Sequence, residues 1–586
     1  MTYNPPDPVT AGGSPQQPVG RAIVMKQLRI RGIPVAPTLL LLLFALSLEA
    51  SLLPAQLLPV AVLVLPLIGA VVGLLLPARV RGKTWGFAVS ASTLFVAISM
   101  AFQFDWHKGG YQFVLHGPRI EQLGVSFSLG VDSISLMLVV LAAALHPLAV
   151  TASLRSIHGR SREHYAWMNF LQVTVLGTFM ATDLLLFFIF FEASLIPLFF
   201  IVGIWGGKER ARAANKLFLF TFSASVFALA SIIYCGFRAH TFYLPDIISF
   251  AQTQMTRTER FWVLMGFLVT FGVKTPLFPL HTWLPLAHTE APTAGSVDLA
   301  ALVLKLGTYG LLRVALPIGL IAIDGSVLFP AVLTGVAVVC LIAIIYGALV
   351  AWVQRDIKKL IAYSSVSHMG FCILGLLALN PIGMAGSVLY MINHGIISGA
   401  LFLVVGMIYH RFHTRDINEL SGLARAMPKL AFFMMLFTFA AVGLPGLNGF
   451  VSEFLSILGA FTSPHLGITY GVIASIGFVL GPIYMLTFAG RVLLGPLHYP
   501  VLPEGRETHR TVHPKYVTGD DITGREVLVL TPLAIAVVAL GLFPTPLLRA
   551  LRGPLDAIRN PSSVIVQDHQ QPPTAAAPRP PEVTMR

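Results

Sequence analysis

Four apolar runs of the chain carry a charged residue near their centres: Glu192 in FFIFFEASLIP, Lys274 in LVTFGVKTPLFPLHTWLP, Lys305 in LAALVLKLGTYGLL and Glu453 in GLPGLNGFVSEFLSIL. His281, His368 and His394 stand in similar surroundings, and Lys216 opens NKLFLFTF. A charge at the centre of a bilayer costs about 2.5–3.5 kcal/mol even on lenient insertion scales, so it persists where it faces a wet cavity, a partner charge or another subunit. The chemistry such groups suit is proton transfer. Burial favours the neutral form of a lysine, and an adjacent carboxylate restores the charged form. A lysine whose carboxylate partner approaches and withdraws therefore loads and releases one proton. Histidines, with an unperturbed pKa of about 6.5, extend a relay between such lysines. Moving one proton against roughly 100 mV costs about 2.3 kcal/mol, a size that burial and one neighbouring charge supply.

Other readings stay open for these groups. Lys216 fits equally a cation that snorkels to the surface. His368 and His394 each also fit a hydrogen-bonded packing histidine, and the four mid-span charges also fit buried structural ion pairs. Proton transfer is favoured for those four because snorkelling from the middle of a span is strained.

The elements that must position these groups are membrane spans. Of 586 residues, 55% are hydrophobic and 11% charged, whereas soluble domains carry about 25% charged residues. The net charge of +13 comes without a basic stripe or reader motif, so no nucleic acid is expected. Basic residues collect instead in the cytoplasmic loops of membrane proteins. Cys235, Cys340 and Cys372 are the only cysteines and form no CxxC pair, which argues against thiolate-held iron–sulfur clusters and structural zinc. No dinucleotide or P-loop motif occurs either. Redox or ATP chemistry would come from another chain.

A span needs about 20 mostly apolar residues. Windows of that kind fall near 34–53, 57–77, 84–103, 131–152, 166–182, 183–205, 215–237, 260–280, 293–316, 327–350, 360–379, 383–409, 429–461, 467–491 and 527–546. They predict an all-α polytopic membrane protein of about 14–15 transmembrane helices. Pro276 and Pro279 follow Lys274, and Leu444-Pro445-Gly446 precedes Glu453, so both spans are interrupted. Interrupted helices at matching places in two halves mark an inverted-repeat transporter with midplane sites. The halves are 166–316 and 327–491, each a five-helix proton half-channel with its broken span fourth. Residues 57–152 supply N-terminal helices and 527–546 the last span.

Alternating sides along the chain puts about 25 of the 39 basic residues, Lys358 among them, on one face and about 10 on the other, which sets the N-terminus inside and the C-terminus outside. Residues 34–53 read as an extra retained helix in preference to a signal-peptide core, because the run exceeds the usual length of about 7–15 residues. The ends 1–33 and 558–586, rich in Pro, Gln and Ser, are expected to be disordered tails.

The run HTWLPLAHTEAPTAGSVDLAALVLKLGTYGLLR (281–313) closely resembles the antiporter-like proton-pumping subunits of bacterial NADH:quinone oxidoreductase, respiratory complex I, and among them the subunit M branch. LGVDSISLM (129–137), FFEASLIPLFFIVGIWGG (190–207), DIKKLIAYSSVSHMGF (356–371), MINHGIISGALF (391–402) and LPGLNGFVSEF (444–454) carry the same resemblance, which covers most of 57–546. It implies a proton-translocating subunit of a bacterial inner membrane complex, beside antiporter-like subunits L and N. It implies no cofactor on this chain, with NADH, FMN, iron–sulfur clusters and quinone on partner subunits. It further implies that Glu192 pairs with Lys274, that Lys305 is the central relay, that His281, His368 and His394 serve it, and that Glu453 ends the exit side. Subunit L has a lysine where Glu453 stands, and a lateral helix for which the roughly 40 residues after Pro546 are too few at about 1.5 Å per residue.

Two positions depart from the family pattern. Leu286 stands where WLPDAH has its aspartate, and Asp298 stands where the family is usually apolar. Asp298 precedes Lys305 by two helical turns, about 10 Å on the same face. It either tunes Lys305 or relocates the carboxylate lost at 286, or it reflects drift beside a wet cavity. A subunit of a multisubunit cation/proton antiporter or of a membrane-bound hydrogenase would share all these residues. A free-standing solute transporter would need a substrate pocket with cavity-facing aromatics, and a scaffold would tolerate neutral substitutions at Lys274 and Lys305.

Overall fold

The computed structural model describes residues 47–75, 82–120, 124–157, 159–498 and 520–561, with Leu43 and Ala45. The expected tail at 1–33, and most of the expected helix at 34–53, lie outside the described residues; 47–51 of that helix are helical. The bundle opens with α1 (Leu58–Leu75) and α2 (Gly82–Gln103). An antiparallel hairpin follows, β1 (Gln112–Ile120) and β2 (Val125–Val131), with Leu115 opposite Leu129 and His116 opposite Ser128. It leads into α3 (Ser133–Ser153).

Next come α4 (Ser161–Met180), the kinked pair α5 (Leu184–Ala193) and α6 (Leu195–Trp205), and α7 (Arg210–Ala239). A short surface helix α8 (Leu244–Thr253) precedes the interrupted span α9 (Arg257–Lys274) and α10 (Leu284–Glu290), and α11 (Thr293–Leu320) completes the group. The second group is α12 (Pro330–Trp352), α13 (Ile357–Leu377), α14 (Pro381–Phe412), the interrupted α15 (Pro428–Val442) and α16 (Asn448–Phe461), and α17 (Ile468–Leu493). The described chain ends with α18 (Gly524–Leu542) and α19 (Thr545–Arg559). Among the described residues, 11 helical stretches are long and apolar enough to cross a membrane. With α4 and the two interrupted spans this makes 14 candidate spans among the described residues, as many as the windows expected between 57 and 546. Each five-helix group has its broken span in fourth place.

Helix starts follow from local chemistry. Asp132 accepts from Ser135 N at 2.9 Å to cap α3, and Asp183 accepts from Leu185 N and Leu186 N at 3.0 Å to cap α5. The same Asp183 accepts from Ser126 N at 3.0 Å and so ties the hairpin to α5. Thr256 with Glu259 and Thr523 with Glu526 form capping boxes for α9 and α18. The break between α15 and α16 is carried by Gly443 (φ 78°) and Gly446 (φ 92°), left-handed positions that favour glycine, around Pro445. Helix α11 is α-helical over 304–310 but widens into π-helical turns over 299–303 and 311–320. Helices α11, α13 and α14 are buried almost throughout and form the bundle's axis, whereas α18 is mostly exposed on the outside.

Several features were not expected. The hairpin, α8 and α19 all lie in segments read as loops or tail, and helix persists to Arg559 where a disordered tail was expected from 558. Lys358, expected in a cytoplasmic loop, is buried in the first turn of α13.

Candidate functional site

Helix α5 gives way to α6 at Ser194, whose hydroxyl donates to the Phe191 carbonyl at 2.7 Å. Lys274, the last residue of α9, points into that break. Its Nζ lies 3.0 Å from Ser194 Oγ and 3.4 Å from the Phe191 carbonyl, and 4.5 Å from the centre of the Phe191 ring. Glu192 is one residue away from these contacts, and both its carboxylate oxygens are buried without a hydrogen-bond partner among the described residues. The implied Glu192–Lys274 ion pair is therefore not closed here: the two groups share one helix break, and no carboxylate of the described residues comes within 4.0 Å of Lys274 Nζ. The Lys274 ammonium thus rests on neutral oxygens, with the Glu192 carboxylate and the Ser225 hydroxyl nearby.

Lys305 is fully buried on α11, directly after the first π-helical stretch. Its Nζ donates to the Ala300 carbonyl at 2.5 Å, within that widened turn, and lies 2.7 Å from His394 Nδ1 on α14. Gly395 permits this approach, because a Cβ there would stand 2.9 Å from the Ala301 carbonyl and 3.7 Å from Lys305 Cε. With Lys305 charged, Nδ1 accepts and the His394 proton sits on Nε2. The His368 ring, on α13, lies 5.8 Å from that of His394. His368 Nδ1 is 2.8 Å from the Tyr390 hydroxyl, which is 3.5 Å from Glu453 Oε2, and His368 Nε2 is 3.4 Å from the Tyr484 hydroxyl. His394, His368, Tyr390 and Glu453, with Asn393 and Ser452, enclose a cavity of about 20 Å³, above the roughly 10–15 Å³ that one water requires. Four helices thus bring Lys305, His394, His368, Tyr390 and Glu453 into one buried line.

The remaining expected groups are placed apart from this line. His281 is buried in the α9–α10 break among Phe278, Tyr346 and Tyr363, its Nδ1 without a hydrogen-bond partner among the described residues. Lys216 is half-buried near the start of α7, and Leu286 is half-buried on α10. Asp298 does not reach Lys305. Its Oδ2 lies 3.1 Å from His146 Nδ1 on α3, both side chains fully buried, an approach without hydrogen-bond alignment.

Tyr390, Ser194, His146 and Lys358 join these surroundings without having been singled out from the sequence. Lys358 Nζ donates to the Ala291 carbonyl at 2.7 Å and Ser296 Oγ at 3.2 Å, beside His288, whose ring stacks on Phe402 at 4.6 Å. Tyr390 had a usable signal: it precedes His394 by four residues and so shares its helix face.

Comparison with known proteins fits this architecture. Residues 181–481 match the family described as NADH:quinone oxidoreductase/Mrp antiporter, transmembrane. The chain is 40% identical to the NADH-quinone oxidoreductase subunit M of Rhodobacter capsulatus over 492 residues, 82% of this chain and 90% of that protein. It aligns with a chain of respiratory complex I from Thermus thermophilus with bound NADH at a TM-score of 0.75 and 28% identity, covering 87% of this chain and 100% of that one. A chain of the Mrp complex from Dietzia also gives a TM-score of 0.75, at 22% identity and 87% and 99% coverage, a likeness of fold. This multi-pass membrane protein therefore belongs to the NADH:quinone oxidoreductase/Mrp antiporter family of membrane subunits.

Proposed function

We propose that the chain is the proton-translocating, non-redox membrane-arm subunit M of a bacterial inner-membrane NADH:quinone oxidoreductase. Neighbouring antiporter-like subunits L and N flank it in this reading, and NADH, FMN, iron–sulfur clusters and quinone reside on partner subunits. The two five-helix groups act as inverted-repeat half-channels that meet near Lys305. Quinone reduction elsewhere switches the contact between Glu192 and Lys274. Closing that pair favours the charged Lys274 and opening it favours release, so the proton affinity of Lys305 alternates with it. Lys305 gives a proton to His394 Nδ1 while His394 gives its Nε2 proton onward to His368. His368 passes one proton to the Tyr390 oxygen as Tyr390 donates its own to Glu453, which delivers to the outer side. Each group accepts one proton and releases one. His281 guards the approach to the break beside Lys274.

One observation supports this reading most: the buried line from Lys305 to Glu453, whose groups stand within hydrogen-bond reach except at the His394–His368 step, where the small cavity lies. A cation/proton antiporter subunit or a hydrogenase subunit is the second reading, kept by the equal TM-score of the Mrp chain. Purification of the native assembly through a tag on this chain separates them. The proposal expects an assembly that contains flavin, oxidises NADH with quinone and acidifies the vesicle lumen. An assembly without NADH oxidation that exchanges sodium for protons would overturn it.

A further inference from the structure

We propose that the groove between α2, α3, α14 and α18 is a binding site for one anionic phospholipid, its headgroup held by Lys108, Arg549 and Arg552. The cavity there measures about 1090 Å³, just above the roughly 300–1,000 Å³ of small-ligand sites. Its length is apolar, walled by Phe87 and Leu94 of α2, Leu141 and Leu145 of α3, Ile396 of α14 and Ala536 of α18. Polar character enters at one end only, where Trp106, His107 and Lys108 after α2 meet Arg549 and Arg552 of α19. From Ala101 back to Phe87 the groove follows α2 for about 21 Å at about 1.5 Å per residue, more than one leaflet of a hydrocarbon core about 30 Å thick. An acyl chain laid along it passes the midplane.

The charged end calls for an anion. Lys108, Arg549 and Arg552 are exposed, and none has a carboxylate within 4.0 Å among the described residues. The nearby acids are engaged: Asp105 accepts from His107 N at 2.9 Å, and Asp556 pairs with Arg559 at 3.2 Å. Arg549 and Arg552 stand three residues apart on α19 and so share one face. Trp106, its Nε1 on the Ala101 carbonyl at 3.1 Å, marks the interfacial depth at which tryptophan settles. A transmembrane helix from a neighbouring subunit would fill the apolar length but leave three cations unanswered, whereas a phosphodiester headgroup with two acyl chains matches both parts. The groove's floor is thin: a Cβ at Gly395 would be 3.1 Å from Leu141 Cδ2 and 3.7 Å from Lys305 Cε.

The test uses the whole complex, incorporated in vesicles of equal parts phosphatidylcholine and phosphatidylglycerol and re-extracted in mild detergent, with retained lipid measured by mass spectrometry. Wild type is compared with the triple variant K108Q/R549Q/R552Q and with Ala144→Trp, which fills the groove while leaving the basic cluster intact. The site predicts one more phosphatidylglycerol per complex in wild type than in either variant, with phosphatidylcholine unchanged and NADH oxidation confirming assembly in all three. Equal phosphatidylglycerol in all three, or equal preference for both lipids in wild type, would overturn it. So would a photo-crosslinker at Ala536 that captures a neighbouring subunit instead of phosphatidylglycerol.

Discussion

Tyr390→Phe deletes a single oxygen from the middle of the buried line. The ring's stacking on Phe371, 6.4 Å between centres, is untouched. His368 Nδ1 loses its 2.8 Å partner and Glu453 its 3.5 Å partner. A buried polar group left unsatisfied costs about 1–3 kcal/mol. His368 keeps Tyr484 at 3.4 Å, and the adjoining cavity of about 20 Å³ admits a water. The stability loss should therefore sit near the low end, about 1 kcal/mol. The kinetic loss is larger, because a positioned acid–base group contributes about 10²–10⁴-fold. A water held without the constraint of the ring recovers part of that, leaving a fall of about 100-fold in the initial rate of lumen acidification. The assay is a pH-sensitive dye inside liposomes carrying the purified complex, with NADH oxidation followed in the same sample. In the proposed cycle NADH oxidation should fall in step with pumping. An assembled Tyr390→Phe complex that acidifies the lumen within twofold of wild type would refute passage of protons through this hydroxyl.

Further outcomes follow from the same geometry. Asp298→Asn replaces the buried carboxylate 3.1 Å from His146 Nδ1 by a buried amide, and a buried polar group left unsatisfied costs about 1–3 kcal/mol. The variant should lower the yield of assembled complex on native electrophoresis while protons pumped per NADH stay unchanged; a lower ratio in intact complex would place Asp298 in the relay. Gly395→Ala puts a Cβ 2.9 Å from the Ala301 carbonyl, an overpacking of about 1–3 kcal/mol. It should lower the thermal midpoint of the complex and slow pumping by separating Lys305 from His394, and an unchanged rate would show that their 2.7 Å contact is dispensable. Ser194→Ala removes a neutral partner of Lys274 and should shift the pH profile of pumping, which a purely structural serine would leave in place.

Much of the fold could be read from the chain because charge in a membrane is costly and prolines break helices. Glu192, Lys274, Lys305 and Glu453 stood out as charges in apolar runs, and Pro276, Pro279 and Pro445 marked the interruptions that the structure contains. What escaped was cheap to bury or local in its signal. Tyr390 carries its hydroxyl on an apolar ring, so no hydropathy window registers it. The strands Gln112–Ile120 and Val125–Val131 are far shorter than a span and lie in a segment whose polarity reads as loop. The π-helical turn over 299–303 forms in LAALV, which contains neither Gly nor Pro. Lys358 sits at a helix start, where a snorkelling cation is the ordinary expectation, yet it turns inward to a carbonyl that a distant segment supplies. Asp298 shares its helix with Lys305, whereas its neighbour His146 comes from α3, which no pattern along one helix reveals.

The most direct test of the account compares proton pumping by the purified parent complex in liposomes for wild type, Lys305→Ala and Glu192→Ala, with quinone reductase activity and native electrophoresis on the same preparations. The account predicts that both variants assemble and lose both pumping and coupled turnover. Pumping and turnover at wild-type levels in both assembled variants would contradict it, and would make these buried charges structural.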